Sequence, residues 1–300
     1  MLEVAEVTKV FKTGMFGRGE VTAVSNVSFV VRPGEVTSLI GESGSGKTTV
    51  GRMILRLTGA TQGEIKFDGR DVAGLGKRDL RRYYAHVQGV FQDPFSSYNP
   101  VYKIDRVLGM MRASYLPELS PGDWKVKLRK SLEAVSLEPS DVLGKYPHQL
   151  SGGQLQRLMV ARALLLEIEL LVADEIISML DASTRIDVLN LLGDLKGRGL
   201  GILFITHDLS LGNYISDRTL ILRHGRVVEL GPTPKVFGDP RHSYTQALLA
   251  CVPQLHRKWG DEPGGAVAGE NGGAPAASAN GGSLVAVDDD HFVAPEEDRA

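Results

Sequence analysis

Short apolar runs alternate with helix-like stretches along most of the chain. Apolar runs of the length of a buried strand occupy residues 36–40, 87–91, 168–173 and 202–206. Apolar positions at helical spacing occur in residues 50–57, 101–147, 154–166, 186–196 and 241–251. Strands that alternate with helices in this way predict a mainly parallel α/β sheet.

Other segments have the pattern of half-buried strands. Residues 3–11 and 21–31 alternate apolar and polar positions, which predicts two strands joined by a glycine-rich turn. Residues 63–69 predict a short strand that ends in an Asp-Gly turn. Residues 218–222 and 227–230 predict two further strands around a His-Gly turn.

The pattern is lost towards the C-terminus. Residues 259–300 are rich in glycine and alanine, and residues 260–300 hold nine acidic residues against one basic residue. Segments with few apolar residues and a high net charge do not bury enough surface to fold. We therefore expect 259–300 to be a disordered acidic tail, with a docking role for residues 284–287 or Phe292 as the alternative.

Composition excludes several classes of protein. The chain has 300 residues, of which 42% are hydrophobic and 23% charged, as in ordinary globular proteins. A net charge of −2 argues against a nucleic-acid-binding protein, so we expect no nucleic acid partner. Cys251 is the only cysteine, which excludes an intrachain disulfide and favours a reducing compartment. The first residues lack the basic n-region of a signal peptide. No run of 18 uncharged apolar residues exists either, so we expect any membrane role to require a partner.

Residues 35–49 carry the clearest chemistry. A buried strand is followed by Gly41, four residues, and then Gly46-Lys47-Thr48 at the start of a helix, which is the pattern of a phosphate-binding loop. Glycines let consecutive N–H groups point at a phosphate, and the helix dipole adds positive charge there. Lys47 is placed to reach the β- and γ-phosphates, and the Thr48 hydroxyl to ligate Mg²⁺. The residues predicted to contact a nucleoside triphosphate are Gly41, Ser43, Gly44, Ser45, Gly46, Lys47, Thr48 and Thr49.

Four candidate site residues end predicted strands: Gly41, Gln92, Asp174 and His207. Ligands of open α/β sheets bind at the carboxyl ends of the strands. Asp174 is predicted to hold Mg²⁺, and the adjacent Glu175 to polarise the attacking water.

A second anion site is predicted at the start of the helix that follows Leu150. Ser151 is a good N-cap, and Gly152, Gly153 and Gln154 expose backbone N–H groups at the positive end of the helix dipole. Two phosphate sites in one chain suggest that two copies face each other, each helix start binding the γ-phosphate held by the other.

Four segments together resemble an ATP-binding-cassette (ABC) ATPase: GESGSGKTT at 41–49, LSGGQLQR at 150–157, LLVADE at 170–175 with SMLD at 178–181, and ITHD at 205–208. The resemblance implies a P-loop NTPase with a RecA-like core, an antiparallel β subdomain and an α-helical signature subdomain. It implies an ABC ATPase domain over 1–258, with a helical subdomain at about 95–160 and an importer-type extension at about 236–258. It also implies a head-to-tail dimer with two Mg-ATP at the interface.

The resemblance assigns further roles. Gln92 becomes the Q-loop glutamine that senses Mg²⁺ and the γ-phosphate, Asp181 the D-loop aspartate, and His207 the switch histidine. Together with Lys47 and Glu175, Gln92 and His207 form the predicted catalytic set. Phe11 is the expected adenine-stacking aromatic, with an ordinary core residue as the alternative. The chain departs from the family at Ile176-Ile177, where Pro-Thr is usual, and at Met179, where Ala is usual.

The segments VFQDPFSSYNP at 90–100, YPHQLSGGQLQR at 146–157 and PRHSYTQALLACVP at 240–253 are similar to the oligopeptide/dipeptide/nickel importer branch, closest to its second (F-type) ATPase. This implies a peripheral protein on the cytoplasmic face of the membrane. Its expected partners are a second ATPase subunit, identical or different, two transmembrane permeases and, indirectly, an extracellular solute-binding protein. Three alternatives stay open: an oligosaccharide importer ATPase of this branch, a soluble ABC ATPase that acts outside transport, and a non-hydrolysing regulatory subunit.

Overall fold

The computed structural model of the protein describes residues 1–13, 19–251 and 284–296. In chain order the strands are β1 (Leu2–Thr13), β2 (Gly19–Val31), β3 (Val36–Ile40), β4 (Gln62–Phe67), β5 (Arg70–Asp71), β6 (Val87–Val90), β7 (Leu170–Asp174), β8 (Gly201–Thr206), β9 (Arg218–Arg223), β10 (Arg226–Pro232), β11 (Val285–Ala286) and β12 (Phe292–Val293). The helices are α1 (Lys47–Ile54), α2 (Lys77–His86), α3 (Ile104–Tyr115), α4 (Pro121–Glu133), α5 (Pro139–Val142), α6 (Gly152–Leu164), α7 (Ala182–Gly197), α8 (Leu209–Ile215), α9 (Thr233–Gly238) and α10 (Ser243–Ala250).

The larger sheet has the strand order β11-β12-β10-β9-β3-β8-β7-β6. Strands β6, β7, β8, β3 and β9 run parallel, β10 pairs antiparallel with β9, and β12 pairs antiparallel with β10. Every residue of β3, β7 and β8 is buried, as expected for strands that helices cover on both faces. The predicted α/β fold is confirmed. The carboxyl ends of β3, β7 and β8 meet at one edge of the sheet.

The smaller sheet is antiparallel, in the order β2-β1-β4-β5. It contains the half-buried strands predicted for residues 3–11, 21–31 and 63–69. Its inward side chains, among them Val7 and Val27, share one apolar cluster with β3 and α1. The predicted glycine-rich turn between β1 and β2 contains Gly14, Gly17 and Gly19. Residues 14–18 lie outside the described residues, and Gly19 is the first residue of β2.

Residues of helices α3, α4 and α6 pack in one apolar cluster with residues of β6, β7 and β8 of the large sheet. Leu108, Leu132 and Leu158 are fully buried and share a second apolar cluster with Phe204 of β8. Helix α6 begins at Gly152, two residues earlier than the apolar spacing predicts. The boundaries proposed for the helical subdomain, 95–160, stay a prediction.

The expectation of a disordered tail is wrong for residues 284–296. Strands β11 and β12 form a short hairpin, and β12 pairs with β10 through Leu230 and Phe292. His291 is buried against the fully buried Glu229. Composition did not reveal this segment because its binding surface is supplied by β10, about 60 residues earlier. Residues 252–283 and 297–300 lie outside the described residues.

Three helices are not visible in the apolar pattern. Helix α2 is highly charged and buries only Tyr83, and α8 and α9 are too short to show a period. Within the described ranges, no helix has the length and apolar character needed to cross a membrane.

Candidate nucleotide site

Residues 41–48, the phosphate loop, connect β3 to α1 and require glycine at defined positions. A Cβ atom at Gly41 would lie 2.2 Å from the Leu222 carbonyl oxygen, and one at Gly46 would lie 2.4 Å from that of Ala23. Gly44 and Gly46 have φ values of 81° and 104°, which side chains rarely adopt. The loop is therefore held tightly against neighbouring backbone, with its N–H groups gathered at the start of α1.

Lys47 lies inside the phosphate loop and is buried. Its Nζ donates hydrogen bonds to the carbonyl oxygens of Gly41 and Glu42, each at 2.7 Å. Burial lowers the pKa of Lys47, and the nearby carboxylates of Glu175 and Asp174 act in the opposite direction. An ammonium group enclosed by a loop of backbone N–H groups suits a polyanionic ligand such as a phosphate chain.

Hydroxyl groups and one acid complete this side of the site. Ser43 and Thr48 are exposed, Thr49 is half-buried and Ser45 is buried. Thr48 donates a hydrogen bond to the buried carboxylate of Asp174, which ends β7. Burial raises the pKa of Asp174, and the Thr48 hydrogen bond lowers it in part.

A hydroxyl and a carboxylate beside a phosphate loop are the oxygen donors that Mg²⁺ takes together with phosphate oxygens and water. The part of the chain that the structure describes contains no cluster of three or more His, Cys, Asp or Glu side chains placed to hold a metal. Thr48 and Asp174 are therefore the described residues that fit Mg²⁺ beside a bound phosphate.

Glu175 is held in place by contacts from β8, from His207 directly after that strand, and from helix α6. It has a φ of 51°, uncommon for a residue other than glycine, and its N–H donates to the Ile205 carbonyl at 3.0 Å. Its Oε1 lies 2.8 Å from Nδ1 of His207, which is 62% exposed. The amide of the buried Gln156 contacts the Glu175 carbonyl at 3.4 Å and accepts from the Met179 N–H at 3.3 Å. An acid and an exposed imidazole are thereby fixed beside the phosphate loop.

Sequence reasoning missed Gln156. The signal was present, because Gln156 is a polar residue among apolar neighbours on a helix, and such a residue needs a buried partner. It links α6 to the backbone on both sides of Ile176-Ile177.

A cleft of about 450 Å³ opens beside these groups. It is lined by Ile40, Gly41, Glu42, Ser43, Gln92, Glu175, His207, Leu209 and Leu248. Strand ends that are far apart in the sequence thus meet here, in the arrangement expected from the sheet topology.

The predicted second anion site, residues 151–154, forms a well-built helix start. The Ser151 hydroxyl accepts from the Gln154 N–H at 3.1 Å, and Gln154 Oε1 accepts from the Ser151 N–H at 3.0 Å. This reciprocal arrangement is a capping box. None of residues 151–154 lines the cleft among the described residues. The cleft and the predicted second site therefore have no residue in common among those described.

Apolar side chains surround the two glycines of that turn. A Cβ at Gly152 would lie 3.3 Å from Met179 Sδ and 3.9 Å from Phe95, and one at Gly153 would lie 3.3 Å from Leu180. Met179 and Phe95 are each 48% exposed. The turn thus lies on an open, partly apolar surface that has little room for larger residues.

Three further sequence positions have clear placements. Ile176 and Ile177 are buried in the same apolar cluster as α6. Asp181 is the N-cap of α7, and hydrogen bonds from Ser183 and Thr184 hold its pKa well below the usual range.

Phe11 lies on β1 and is 39% exposed, with Lys9 Nζ 4.9 Å from its ring centre. The alternative reading of Phe11 as a core residue is wrong. Its role in adenine stacking stays a prediction.

Comparison with known proteins identifies the family. The model described as "ABC transporter" matches residues 24–178, more than half of the chain. The chain belongs to the ABC transporter family. A second model, described as "Oligopeptide/dipeptide transporter, C-terminal region", matches residues 228–276. The resemblance drawn from the motifs is confirmed, and so is the predicted ATPase: this ABC ATPase is an ATP-binding and ATP-hydrolysing protein.

Several relatives of the ABC ATPase carry descriptive names. A putative peptide import ATP-binding protein of Brucella ovis is 46% identical over 232 residues, which cover 77% of this chain and 72% of the relative. The oligopeptide transport ATP-binding protein OppF of Streptococcus mutans is 41% identical over 255 residues, which cover 85% and 82%. The glutathione import ATP-binding protein GsiA of Salmonella paratyphi A is 42% identical over 246 residues, which cover 81% of this chain but 39% of that longer protein.

Solved structures agree with the fold. The ABC ATPase superposes with a TM-score of 0.71 on the ATP-binding cassette MJ0796, determined as a dimer in a post-hydrolysis state with ADP and Pi. That cassette is 28% identical, and the match covers 78% of this chain and 99% of the cassette. An ATP-binding subunit of another ABC transporter is 26% identical, with a TM-score of 0.69 and coverage of 83% and 98%.

Proposed function

We propose that this ABC ATPase is the ATP-hydrolysing subunit of a membrane importer of oligopeptides or dipeptides. One observation carries the proposal: the cleft in which Gln92, Glu175 and His207 meet beside the phosphate loop stands on the same chain as a region of the oligopeptide/dipeptide type, residues 228–276. The names of the Brucella ovis, Streptococcus mutans and Salmonella relatives support the same class of cargo.

In the proposed mechanism the phosphate loop positions ATP. Its backbone N–H groups and Lys47 hold the β- and γ-phosphates, and the exposed Phe11 stacks on the adenine. Thr48 and Asp174 hold Mg²⁺, with Gln92 at the cleft wall as a third oxygen donor. When bound, that ion neutralises the charge that develops on the leaving phosphate oxygens.

Glu175 and His207 act on the attacking water. Glu175 Oε1 accepts a proton from the water that lies in line with the γ-phosphate, and His207 orients both the carboxylate and the γ-phosphate. Positioning and charge stabilisation carry this reaction, because phosphoryl transfer needs no covalent intermediate on the protein.

A facing subunit completes the site in this proposal. Ser151, Gly152 and Gly153 of one subunit donate to the γ-phosphate held by the other, and Asp181 lies at the same interface. The observation that residues 151–154 do not line the cleft of their own chain supports a head-to-tail dimer, identical or mixed.

The test is reconstitution with the expected partners. The ATPase is co-expressed with a candidate permease pair, isolated in nanodiscs, and assayed with a peptide-loaded or an unloaded binding protein. We expect co-purification with two permeases on the cytoplasmic side and hydrolysis that rises with the loaded binding protein. Stimulation by oligosaccharide alone would favour the related sugar importers, and steady hydrolysis without any membrane partner would favour a non-transport ATPase. No hydrolysis with any partner would favour the regulatory subunit.

A further inference from the structure

Residues 284–296, here called the C-terminal clasp, return to the edge of the large sheet. Phe292 pairs with Leu230 of β10, and the Ala294 N–H donates to the Val228 carbonyl at 2.8 Å. Lys235 of α9 forms ion pairs with Asp288 and Asp290 of the clasp. These contacts join a sheet edge to a segment that follows it by more than 50 residues.

A buried carboxylate links the clasp to the start of α10. Glu229 is fully buried, and its Oε1 lies 2.8 Å from His291 Nε2. The same carboxylate accepts from the backbone N–H groups of Arg241 at 2.9 Å and His242 at 3.1 Å. Clasp and helix start therefore share one acceptor group, and a buried charge of this kind is stable only while its partners stay in place.

The clasp also contacts the first turn of α10 directly. Glu296 Oε1 accepts from the Ser243 N–H at 3.1 Å, which is one of the N–H groups that a helix start leaves without an internal partner. His242 is the N-cap, and its Nδ1 accepts from the Tyr244 N–H at 3.0 Å. Burial lowers the pKa of His242, which keeps that ring nitrogen available as an acceptor.

Helix α10 in turn reaches the nucleotide cleft. Tyr244 and Leu248 pack, together with Ala294 of the clasp, against an apolar cluster that includes Ile40 at the end of β3. Leu248 lines the cleft beside Glu42 and Ser43 of the phosphate loop. Continuous contacts therefore run from the clasp through α10 to the phosphate loop.

We propose that the C-terminal clasp positions α10 against the phosphate loop and so sets the affinity of the cleft for nucleotide. His291 and Glu296 are positioning residues in this scheme, acting on the cleft through Glu229 and α10. Without them the start of α10 loses its direct contact with Glu296, and Glu229, which holds the N–H groups of Arg241 and His242, loses its His291 partner, so that Leu248 no longer holds a defined place at the cleft wall. The proposal rests on nucleotide binding by this cleft and adds the element that tunes it.

The test uses the full-length chain with a double substitution, His291→Ala with Glu296→Ala. Amide exchange is followed in β12 and α10, nucleotide affinity is measured with a fluorescent ATP analogue, and hydrolysis is measured as KM and kcat. We expect faster exchange in both β12 and α10. We also expect a rise of about tenfold in Kd and KM with kcat little changed, the signature of lost ground-state binding.

Two matched variants serve as a rescue and as a control. His291→Gln with Glu296→Gln restores a side-chain donor and an acceptor, and should return Kd towards the wild-type value. Asp289→Asn removes one charge from an exposed position of the same segment and should leave Kd and exchange unchanged. If the double alanine variant proves too unstable to assay, Glu296→Ala alone repeats the test at the exposed end of the clasp, with a rise of about threefold expected.

Faster exchange in β12 and α10 with an unchanged Kd would overturn the proposal, because the clasp would then stabilise the fold without tuning the cleft. Faster exchange in β12 alone would overturn it as well, since α10 would not depend on the clasp. Failure of the wild-type chain to bind the ATP analogue is a different result, and it would count against the nucleotide site itself.

Discussion

The carboxyl group of Asp174 has opposite effects on the stability of the nucleotide-free protein and on metal binding. Its pKa is raised by burial, so the folded protein holds the proton more tightly than the unfolded chain does. A group with a raised folded pKa contributes stability below its unfolded pKa and loses that contribution as the pH rises through the folded value. Above its folded pKa, the Asp174 carboxylate therefore lowers the stability of the nucleotide-free protein while providing the charge that a metal needs.

Replacing Asp174 should separate the two requirements. We expect Asp174→Asn to raise the melting temperature of the nucleotide-free protein by about 2 °C, near the shift that 1 kcal/mol produces in a large domain. The same variant should lower Mg-dependent hydrolysis at least about 100-fold. Thermal unfolding at pH 7.5 and phosphate release measure the two effects. Asp187→Asn, an exposed acid on α7, should change neither, and a lower melting temperature for Asp174→Asn would contradict the reading of its burial.

Glu175 is the residue on which turnover should depend most. We expect Glu175→Gln to lower kcat by about 10²–10⁴-fold, the range for loss of a general base, while nucleotide affinity is retained. Single-turnover hydrolysis and analogue binding measure these quantities. Glu167→Gln, at a 96% exposed side chain on the loop that precedes β7, is the matched control. Turnover near the wild-type rate would remove Glu175 from the role of base.

The placement of a site residue could be predicted from the sequence where it depends only on the strand pattern beside that residue. Gly41 and His207 directly follow buried strands and Asp174 ends one, and parallel topology brings such ends together. Pairing between distant segments could not be predicted in this way. The contact of Glu229 with His291 joins residues 62 positions apart, and nothing near either residue in the sequence specifies the other.

At the scale of elements, the N-terminal ends of two helices, α4 and α6, have different proposed roles. Ser120 caps α4 and Ser151 caps α6, each hydroxyl accepting an N–H at 3.1 Å. The first is a purely local cap in the helical region. The second belongs to the turn proposed to meet nucleotide on a facing subunit.

These two caps give a matched pair of substitutions. Ser120→Ala and Ser151→Ala should each destabilise by about 1 kcal/mol, the usual effect of losing a cap. Only Ser151→Ala should also lower hydrolysis, by about 10²-fold, because it removes a donor aimed at the transferred phosphate. Chemical denaturation and steady-state kinetics provide the comparison. Equal activity in the two variants would show that residues 151–154 serve folding alone.

Ile176 and Ile177, where the chain departs from the expected Pro-Thr, lie in the turn directly after Glu175. Both isoleucines are buried with α6, and Gln156 of that helix contacts the backbone at Glu175 and Met179. The turn is thus held by apolar packing at the two positions where the resemblance predicted Pro-Thr. Glu175 and His207 keep their 2.8 Å contact in this setting.

At the scale of the whole molecule, the proposed function gives each chain two half-sites, the nucleotide cleft and residues 151–154. If the active unit is a head-to-tail pair, mixing two inactive variants should restore activity. A pair of Glu175→Gln and Ser151→Ala chains contains one doubly defective site and one intact site.

We expect the mixture to regain a substantial fraction of wild-type hydrolysis, measured after ATP-induced dimers are verified by light scattering. Each variant alone is the control. Verified mixed dimers that stay inactive would contradict the shared site. If this chain dimerises only with a different ATPase, the same two substitutions are divided between the two subunits.

The exposed thioether of Met179 beside Gly152 adds a chemical liability to that surface. Oxidation to the sulfoxide would place a bulky polar group against a turn with no spare room, and methionine sulfoxide reductases would be needed to reverse it. We expect mild peroxide treatment to reduce hydrolysis in the wild type and to spare a Met179→Leu variant, as measured by phosphate release alongside intact-mass analysis. In cells under oxidative stress, solute uptake would then fall before the protein itself unfolds.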